Sequence, residues 1–315
     1  MKWHKLGMIF DSSPENLPDG YISFAQSPQA IVFNDFIRIF FSTRCLDIHG
    51  KFLSYVCFVD FDKQLKHIIN KSKGPVISLG ELGCFDEHGI FPMNVLRDGA
   101  DIKAYITGWT RRKSVPVDAA IGLAISTDNG ISFNRISKGP VIAPSLYEPF
   151  LVGDGFVLKI NNTYHMWYIS GTRWITDKDG PQRVYKILHA VSKNGISWEK
   201  EGKHIINDII GKDECQALPT VIEIQNKYHM FFCYRYATDF RQNPERAYRL
   251  GYASSNDGLN WERDDSNAPD PSNVGWDSEM LCYPNIFKCD DKIYLLYNGN
   301  EFGKHGFGAA MLESM

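Results

Sequence analysis

The chain has 315 residues, of which 43% are hydrophobic and 23% are charged, and its formal net charge is −3. This composition is ordinary for a globular protein, and it lacks the basic character expected of a nucleic-acid-binding protein. No apolar stretch approaches the roughly 20 residues needed to cross a bilayer, and the first residues lack the apolar segment of a secretory signal.

The seven cysteines are odd in number and do not have the spacing of a zinc site. Disulfides persist mainly in oxidising compartments, so we expect a reduced, cytoplasmic protein. The alternative is a mature enzyme from which a signal segment has been removed. The sequence also lacks nucleotide, flavin and metal motifs, and His88 has no second histidine at ligand spacing. We therefore expect no cofactor and no metal ion.

A five-fold repeat runs through the whole chain. In each repeat a proline or glycine anchor stands six residues before a tight turn, and the anchors recur about every 64 residues. The anchors are Pro28, Pro92, Gly155, Pro219 and Pro284.

Each repeat predicts four strands. An apolar run leads into the tight turn and a second run leaves it, as in a β-hairpin. A third run ends in another turn, such as Asp128–Gly130 or Asn256–Gly258, and a fourth begins with an aromatic residue, such as Trp198 or Trp261. Four antiparallel strands are the unit of a β-propeller blade.

The two ends of the chain complete this pattern. The last repeat stops after its third strand, near Gly306 to Leu312, while Met1 to Phe10 resembles the segment around Trp198. We therefore predict an all-β, five-bladed β-propeller with four antiparallel strands per blade, as a single domain over residues 1–315. The N-terminal strand would complete the fifth blade and close the ring, which removes exposed sheet edges. A solenoid is the alternative, but it would need capping units.

The repeat also predicts where a site would lie. The start of each first strand and the end of each second strand meet on one face, around a central pocket. The carboxylate candidates there are Glu87, Glu214 and Glu279, each five residues before an anchor, with Asp86 beside the first and Asp154 directly before the third anchor. The binding candidates are Arg44, Arg235, Trp109, Arg173, Trp174, Tyr283 and Asn298.

Carboxylates, arginines and tryptophans together suit a sugar. Carboxylates supply acid–base chemistry, aromatic rings contact sugar faces, and arginine binds an anionic substituent. Each candidate also has a structural interpretation. The glutamates could be surface loop residues that recur only because the repeats share an ancestor, and Asp154 could stabilise the turn in which it stands. The arginines could pair with neighbouring acids, and the tryptophans could pack within blades.

Three segments carry a family resemblance. Ala124–Phe133, Ala190–Trp198 and Ala253–Trp261 resemble, with the repeated strand and hairpin pattern, the five-bladed propellers of glycoside hydrolase families 32, 43, 62 and 68. The run Trp276–Pro284, followed by Leu296–Asn300, looks like a subgroup of uncharacterised glycosidase-like proteins. Proteins of that subgroup are often found with bacterial surface-polysaccharide genes.

The resemblance implies a set of catalytic acids that this chain only partly has. Those families use an Asp in each of the first two blades, directly before the anchor, and a Glu in the third blade. Here the first two positions hold Ser27 and Phe91, and only Asp154 keeps an acid near the expected place. Either catalysis has moved to the glutamates, or this chain carries out different sugar chemistry.

The sequence therefore favours a cytoplasmic glycosidase-like enzyme that acts on a sugar or activated sugar in surface-glycan metabolism. Asp86, Asp154, Glu214 and Glu279 are the main acid–base candidates. We expect Glu279 to be the general acid, shielded from water by the aromatic segment Trp276 to Tyr283. The alternatives are a sugar transferase or phosphorylase, in which Arg44 and Arg235 bind phosphate, and a non-catalytic glycan-binding propeller. The expected partner is a carbohydrate or nucleotide-sugar.

Overall fold

The computed structural model describes residues 1–315 and is nearly all β. Strands β1 to β20 span, in chain order, Lys2–Asp11, Ser23–Val32, Ile37–Leu46, Phe52–Phe61, Ile68–Lys71, Gly89–Asp98, Asp101–Arg111, Val117–Ser126, Asn134–Arg135, Val152–Ile160, Thr163–Asp177, Gly180–Ser192, Glu199–Lys200, Cys215–Ile224, Lys227–Arg235, Arg249–Ser255, Glu262–Arg263, Cys282–Cys289, Lys292–Asn298 and Gly306–Ser314. The helical segments are short: Pro14–Asn16, Pro244–Arg246, Asp265–Asn267 and Asn300–Gly303. None of them has the length and apolar character needed to cross a lipid bilayer.

The strands form antiparallel four-stranded units. Three separate sheets have the orders β10-β11-β12-β13, β14-β15-β16-β17 and β1-β20-β19-β18. The remaining strands form two more such units, β2-β3-β4-β5 and β6-β7-β8-β9, which are joined only by the pairing of Ser54 with Gly89. Four-stranded units of this kind are consistent with a β-propeller.

The N-terminal strand is the outermost strand of the last unit. β1 pairs with β20 along its length, from Lys2 opposite Ser314 to Asp11 opposite Gly306. The indole Nε1 of Trp3 donates to the Asn267 carbonyl at 2.9 Å, so the strand is also tied to the neighbouring unit. Trp3 packs edge-on against Phe231, with ring centroids 5.4 Å apart.

Buried polar bonds link the innermost strands of neighbouring units. The links are Asn94 Nδ2 to Gln29 Oε1 (3.2 Å), Val157 N to Asn94 Oδ1 (3.0 Å), Leu218 N to Asp154 Oδ2 (3.3 Å), Ile286 N to Thr220 Oγ1 (3.1 Å) and Ala30 N to Asn285 Oδ1 (2.9 Å). They join β2 to β6, β6 to β10, β10 to β14, β14 to β18 and β18 back to β2. Each satisfies a buried polar group that would otherwise destabilise the fold.

Every innermost strand has a β-bulge directly before the repeat anchor. The strand register shifts there in β2, β6, β10, β14 and β18. Four of the five bulge residues have a positive φ, namely Ser27 at 53°, Asp154 at 53°, Leu218 at 46° and Tyr283 at 58°. Non-glycine residues rarely adopt this conformation, and bulges change the direction of a side chain. The fold therefore sets these positions apart from ordinary strand residues.

Candidate active site

Side chains from different units meet beside the bulges. The rings of Phe91 and Tyr283, both bulge residues, lie edge to face with centroids 5.1 Å apart. Tyr248, just before β16, packs against Tyr283 at 5.6 Å. Tyr185 on β12 joins them, since its hydroxyl lies 2.5 Å from the Tyr248 hydroxyl. Strands of the second, third, fourth and fifth units thus contribute to one aromatic cluster.

Asp154 is the acid of this region. It is buried, with 7% of its surface exposed, and its backbone N–H donates to Thr107 Oγ1 at 2.8 Å. Burial raises the pKa of Asp154 to about 7, although the Leu218 N–H and the positive charge of Arg183 both favour the carboxylate. A carboxyl group with this pKa can hold a proton near neutral pH and donate it.

Arg235 lies under the aromatic cluster. Its Nη2 donates to the Tyr185 hydroxyl at 2.9 Å, and its Nη1 donates to the Tyr236 carbonyl at 2.7 Å. The guanidinium also lies over the ring of Phe240, 3.5 Å from the centroid. No carboxylate is paired with it, and its Nε has no hydrogen-bond partner. A buried positive charge is thus held by tyrosine, carbonyl and aromatic groups alone.

Three further arginines in the region also lack an acidic partner. Arg183 lies 6.0 Å from the Tyr185 ring centroid and Arg241 lies 4.2 Å from that of Phe240. Arg44 lies over Phe24 and Phe52, at 4.2 and 5.1 Å. Burial lowers the pKa of Arg241 and of Arg44, and the charges of Arg235 and Arg183 lower that of Arg241 further. An anion would relieve this repulsion and desolvation, so the arrangement is suited to binding one.

Asp86 and Glu214 are held in ion pairs within their own units. Each is fully buried and paired with an arginine on the outermost strand of its own unit: Arg135 Nε to Asp86 at 2.6 Å, and Arg263 Nη1 to Glu214 at 2.6 Å. Glu214 also accepts hydrogen bonds from the backbone of 209 and 210. These contacts are those of structural residues, because each acid is neutralised by a cation on the outermost strand of its own unit.

These two ion pairs belong to an arrangement that recurs in four units. In four units a buried acid in the loop before the innermost strand binds a cation on the outermost strand. The cation always stands two residues after the aromatic that opens that strand. The pairs are Asp86–Arg135, Glu148–Lys200, Glu214–Arg263 and Asp277–Lys5. Each ion pair connects the loop before the innermost strand to the outermost strand of the same unit.

Glu87 and Glu279 have looser surroundings. Glu87 Oε2 accepts from the backbone N–H of Gly83 at 3.0 Å, within its own loop. Glu279 is exposed, so the shielding expected from the aromatic segment is absent. The physical reason is the placement of Trp276, whose ring stacks on Tyr297 with centroids 5.3 Å apart instead of covering Glu279.

The remaining candidates divide between the site and the scaffold. Trp174 on β11 is half-buried and directly opposite Arg183 in the hairpin β11–β12. Arg173 pairs with Asp213. Trp109 lies beside His88, with ring centroids 6.0 Å apart.

Asn298 is buried, and its side chain forms hydrogen bonds with the backbones of Ala25, Ser27 and Gly306. Asn298 therefore fixes the bulge of β2 and presents no free polar group.

The repeat spacing does not predict four residues of this site: Arg183, Arg241, Tyr185 and Tyr248. Tyr185 and Arg183 lie on the long hairpin β11–β12, and Arg241 and Tyr248 lie in the connection between β15 and β16. Both segments are longer than their counterparts in the other repeats, so their residues have no position that the spacing from the anchors would predict. The concentration of arginine and aromatic residues in 234–249 was the available signal.

A cavity outside this cluster has a different arrangement of charge. It has a volume of about 500 Å³ and lies over the second unit, lined by residues that include Cys84, Phe85, Arg112 and Lys138. Both of its cations already have carboxylate partners, Asp118 for Arg112 and Glu81 for Lys138. The unpaired positive charge is therefore a property of the central cluster and not of this cavity.

No family model matches the chain. The uncharacterized protein Rv1502 of Mycobacterium tuberculosis is 33% identical over 323 residues, covering 100% of both chains. A beta-1,2-mannobiose phosphorylase of Thermoanaerobacter sp. is 26% identical over 137 residues, which are 41% of this chain and 44% of that protein.

Among solved structures, the beta-1,2-mannobiose phosphorylase of Listeria innocua has a TM-score of 0.71 at 13% identity, over 99% of this chain and 97% of that one. A structure described with the GH130 family of mannoside phosphorylases has a TM-score of 0.70 at 13% identity, over 98% and 93%. These structural neighbours are glycoside hydrolase-like propeller enzymes that share the fold. By its full-length similarity, the chain belongs to the same protein family as Rv1502 of M. tuberculosis.

Proposed function

We propose that the protein is a glycosidase-like enzyme of the phosphorylase type, which cleaves a glycosidic bond with inorganic phosphate. The observation that supports this most directly is the composition of the central cluster. It contains one carboxyl group, Asp154, whose pKa of about 7 suits a proton donor, and arginines without acidic partners.

Hydrolysis by inversion needs two carboxyl groups, one to protonate the leaving oxygen and one to activate water. Hydrolysis with retention also needs two, because the second is the nucleophile. The other predicted carboxylates are not partners for Asp154: Asp86 and Glu214 are bound to arginines, Glu87 accepts from the backbone of its own loop, and Glu279 is exposed. Phosphate is already an anionic nucleophile and needs no base.

The step then balances with a single acid. Asp154 gives its proton to the glycosidic oxygen as the bond from that oxygen to the anomeric carbon breaks. A phosphate oxygen forms the new bond to the same carbon. The products are a sugar 1-phosphate and the released sugar, and Asp154 is reprotonated from solvent. The arginines would bind phosphate and stabilise its charge in the transition state.

The names of the relatives suggest the first substrate to test. Two of them act on, or were solved with, beta-1,2-mannobiose. We therefore propose a mannose-containing oligosaccharide, or an activated form of it, as substrate. The resemblance to proteins found with surface-polysaccharide genes supports a role in surface-glycan metabolism. The seven free cysteines favour a cytoplasmic location for that role.

We also propose the complete architecture that this function needs. The five four-stranded units would be the blades of one ring over residues 1–315, closed where β1 joins β20. The polar bonds that lead from β2 through each innermost strand and back to β2 support this arrangement. The bulge residues would then surround a single central pocket.

The test is the activity of Asp154→Asn on beta-1,2-linked mannobiose and related disaccharides. The amide keeps the size of the side chain but cannot donate the proton, so turnover should fall roughly 100-fold or more. Glu279→Gln is the matched control, and it should keep its activity because Glu279 is exposed. The opposite pattern, with Glu279→Gln inactive and Asp154→Asn active, would refute the assignment. Sugar binding without turnover would favour the glycan-binding alternative.

A further inference from the structure

The backbone at the bulges is held by side chains from neighbouring units. In four of the five bulges, the residue before the anchor donates its N–H to such a side chain. The acceptors are Asn298 Oδ1 for Ser27 (2.7 Å), Thr107 Oγ1 for Asp154 (2.8 Å), Asp154 Oδ2 for Leu218 (3.3 Å) and Cys233 Sγ for Tyr283 (3.5 Å). The same four donor residues have a positive φ. Because this conformation is strained in a residue with a side chain, each hydrogen bond helps to maintain it.

Asp154 takes part in two of these four hydrogen bonds. Its N–H donates to Thr107 on β7 of the second unit, and its carboxyl accepts from Leu218 on β14 of the fourth. The other acceptors all lie on the second strand of their unit, whereas Asp154 lies on the innermost strand of the third. The acid is therefore fixed at its backbone by one neighbouring unit and at Oδ2 by the other.

The two carboxyl oxygens of Asp154 are not equivalent. Oδ2 accepts from the Leu218 N–H at 3.3 Å. Oδ1 has no hydrogen-bond partner in the protein, and it is not among the unpaired side-chain atoms that are closed off from solvent. A protonated carboxyl has a single O–H donor. With Oδ2 occupied as an acceptor, the proton that Asp154 transfers is carried by Oδ1, the oxygen left free for a substrate.

Building on the proposed role of Asp154 as the acid, we propose that Thr107 is its positioning residue, because it holds the bulge that directs Oδ1 toward the leaving oxygen. Thr107 is buried, with 5% of its surface exposed. It lies so close to Gly153 that a Cβ there would stand 2.7 Å from Thr107 Cγ2, so its approach requires the glycine. Loss of Oγ1 leaves the Asp154 N–H without this partner and removes a bond that maintains φ at 53°. The carboxyl then leaves its position, and a small misplacement of a reacting group costs much of the rate.

The experiment compares Thr107→Val, which keeps the shape but loses the acceptor, with Thr107→Ser, which keeps the hydroxyl. Turnover of beta-1,2-mannobiose with orthophosphate is measured at a temperature at which thermal unfolding shows every variant to be folded. We expect kcat to fall ten-fold or more in Thr107→Val with KM within about two-fold, and Thr107→Ser to stay within about three-fold of wild type.

Thr220→Val is the matched control. Thr220 is also buried, and its Oγ1 accepts from the backbone N–H of Ile286 in the neighbouring unit at 3.1 Å, away from the bulge that carries the acid. Both valine variants should melt below the wild type, but Thr220→Val should keep the wild-type kcat. Thr107→Cys gives the same test if Thr107→Val does not fold, because sulfur accepts more weakly than oxygen. Its kcat should lie between those of Thr107→Val and the wild type.

A titration without substrate separates this inference from the proposed function. The carboxyl carbon of Asp154 is followed by carbon-13 NMR, and in wild type its pKa should be about 7. In Thr107→Val the pKa should fall toward the ordinary value of about 4, because the displaced carboxyl gains contact with water, while Thr107→Ser and Thr220→Val should titrate as wild type. A folded Thr107→Val with wild-type kcat and titration would overturn the inference and leave the phosphorylase intact. Absence of phosphate-dependent turnover in the wild type would refute the phosphorylase, and the titration would still decide the role of Thr107.

Discussion

Asp154 shows how the backbone can set the chemistry of one side chain. The bulge places it at φ 53°, in the centre of the fold and away from solvent. Burial opposes the charged form of a carboxyl group, and one backbone N–H does not compensate fully. In a regular strand the Asp154 side chain would point to one face of the sheet, and its pKa would depend on how exposed that face is.

This environment predicts a pH dependence of stability. Because the folded-state pKa of Asp154 is raised to about 7, the neutral carboxyl contributes its full stability below the unfolded pKa of about 4. That contribution is lost as the pH rises toward 7. Relative to Asp154→Asn, the free energy of unfolding should fall by about 1.4 kcal/mol per pH unit across this window. Chemical denaturation of both proteins from pH 4 to 8 measures it, and parallel curves would contradict the raised pKa.

The activity should follow the same ionisation. Turnover by wild-type protein should decline about ten-fold per pH unit above pH 7, because only the protonated acid can donate to the leaving oxygen. A pH–rate profile of kcat would show this decline above pH 7. The account would fail at this point if activity stayed constant from pH 7 to 9.

At the residue scale, sequence alone could find Asp154 but not rank it above the glutamates. Its position before the anchor was visible, and so was the family pattern. The ion pairs of Asp86 and Glu214 were not visible, since repeat spacing places a residue in a loop without giving its tertiary contacts. The cations two residues after Phe133 and Trp261 could have predicted these ion pairs, because a buried acid needs a partner of opposite charge.

At the scale of the element, each four-stranded unit combines local turn chemistry with one long-range tie. Ser126 Oγ accepts from the Gly130 N–H at 2.8 Å, and Asp128 Oδ1 accepts from the N–H groups of Ile131 and Ser132 at 3.0 Å. The same bonds recur after Ser192 and Ser255. These turns depend on neighbours in sequence, which is why the Asn/Asp/Gly pattern predicted them. The tie between the loop acid and the outer-strand cation depends on tertiary packing.

Lys200 tests the strength of that tie. Its Nζ lies 2.5 Å from the buried Glu148, which otherwise accepts only from the Tyr168 hydroxyl. Lys200→Met leaves the carboxylate buried without its counter-ion, so the free energy of unfolding should drop by about 3–5 kcal/mol. Lys138→Met is the control: its pair with Glu81 is exposed, and the change should leave the free energy of unfolding almost unchanged.

A double variant distinguishes lost charge pairing from lost packing. Adding Glu148→Gln to Lys200→Met should recover part of the stability, since the amide carries no charge. If the double variant were as unstable as the single one in urea denaturation, the ion pair would not be what stabilises this loop.

At the scale of the whole molecule, the two ends of the chain share one sheet. β1 fills the outer position that the last repeat leaves open, and Trp3 reaches the neighbouring unit. The repeat and the aromatic residue Trp3 predict this placement from the sequence alone. The extended hairpin β11–β12 and the connection after β15 were not predictable in the same way, because they have no counterparts in the other repeats.

Removal of residues 1–10 should therefore affect the entire molecule. It would expose the edge of β20 and strip contacts from the last two units, so we expect a loss of several kcal/mol in the free energy of unfolding and a tendency to aggregate. Trp3→Ala is a milder version and should lower the melting temperature by several degrees. Calorimetry and light scattering would reveal both effects. A truncated protein as stable and monodisperse as the full chain would rule out a closing role for β1.

If phosphate, and not water, is the nucleophile, the products must depend on the presence of phosphate, and product analysis with and without phosphate distinguishes the two. Protein is incubated with beta-1,2-mannobiose and related disaccharides, and the products are followed by phosphorus and proton NMR. The account predicts a sugar 1-phosphate that forms only when orthophosphate is present and only slowly with Asp154→Asn. Release of free sugar at the same rate in phosphate-free buffer would contradict it and return the protein to the hydrolases.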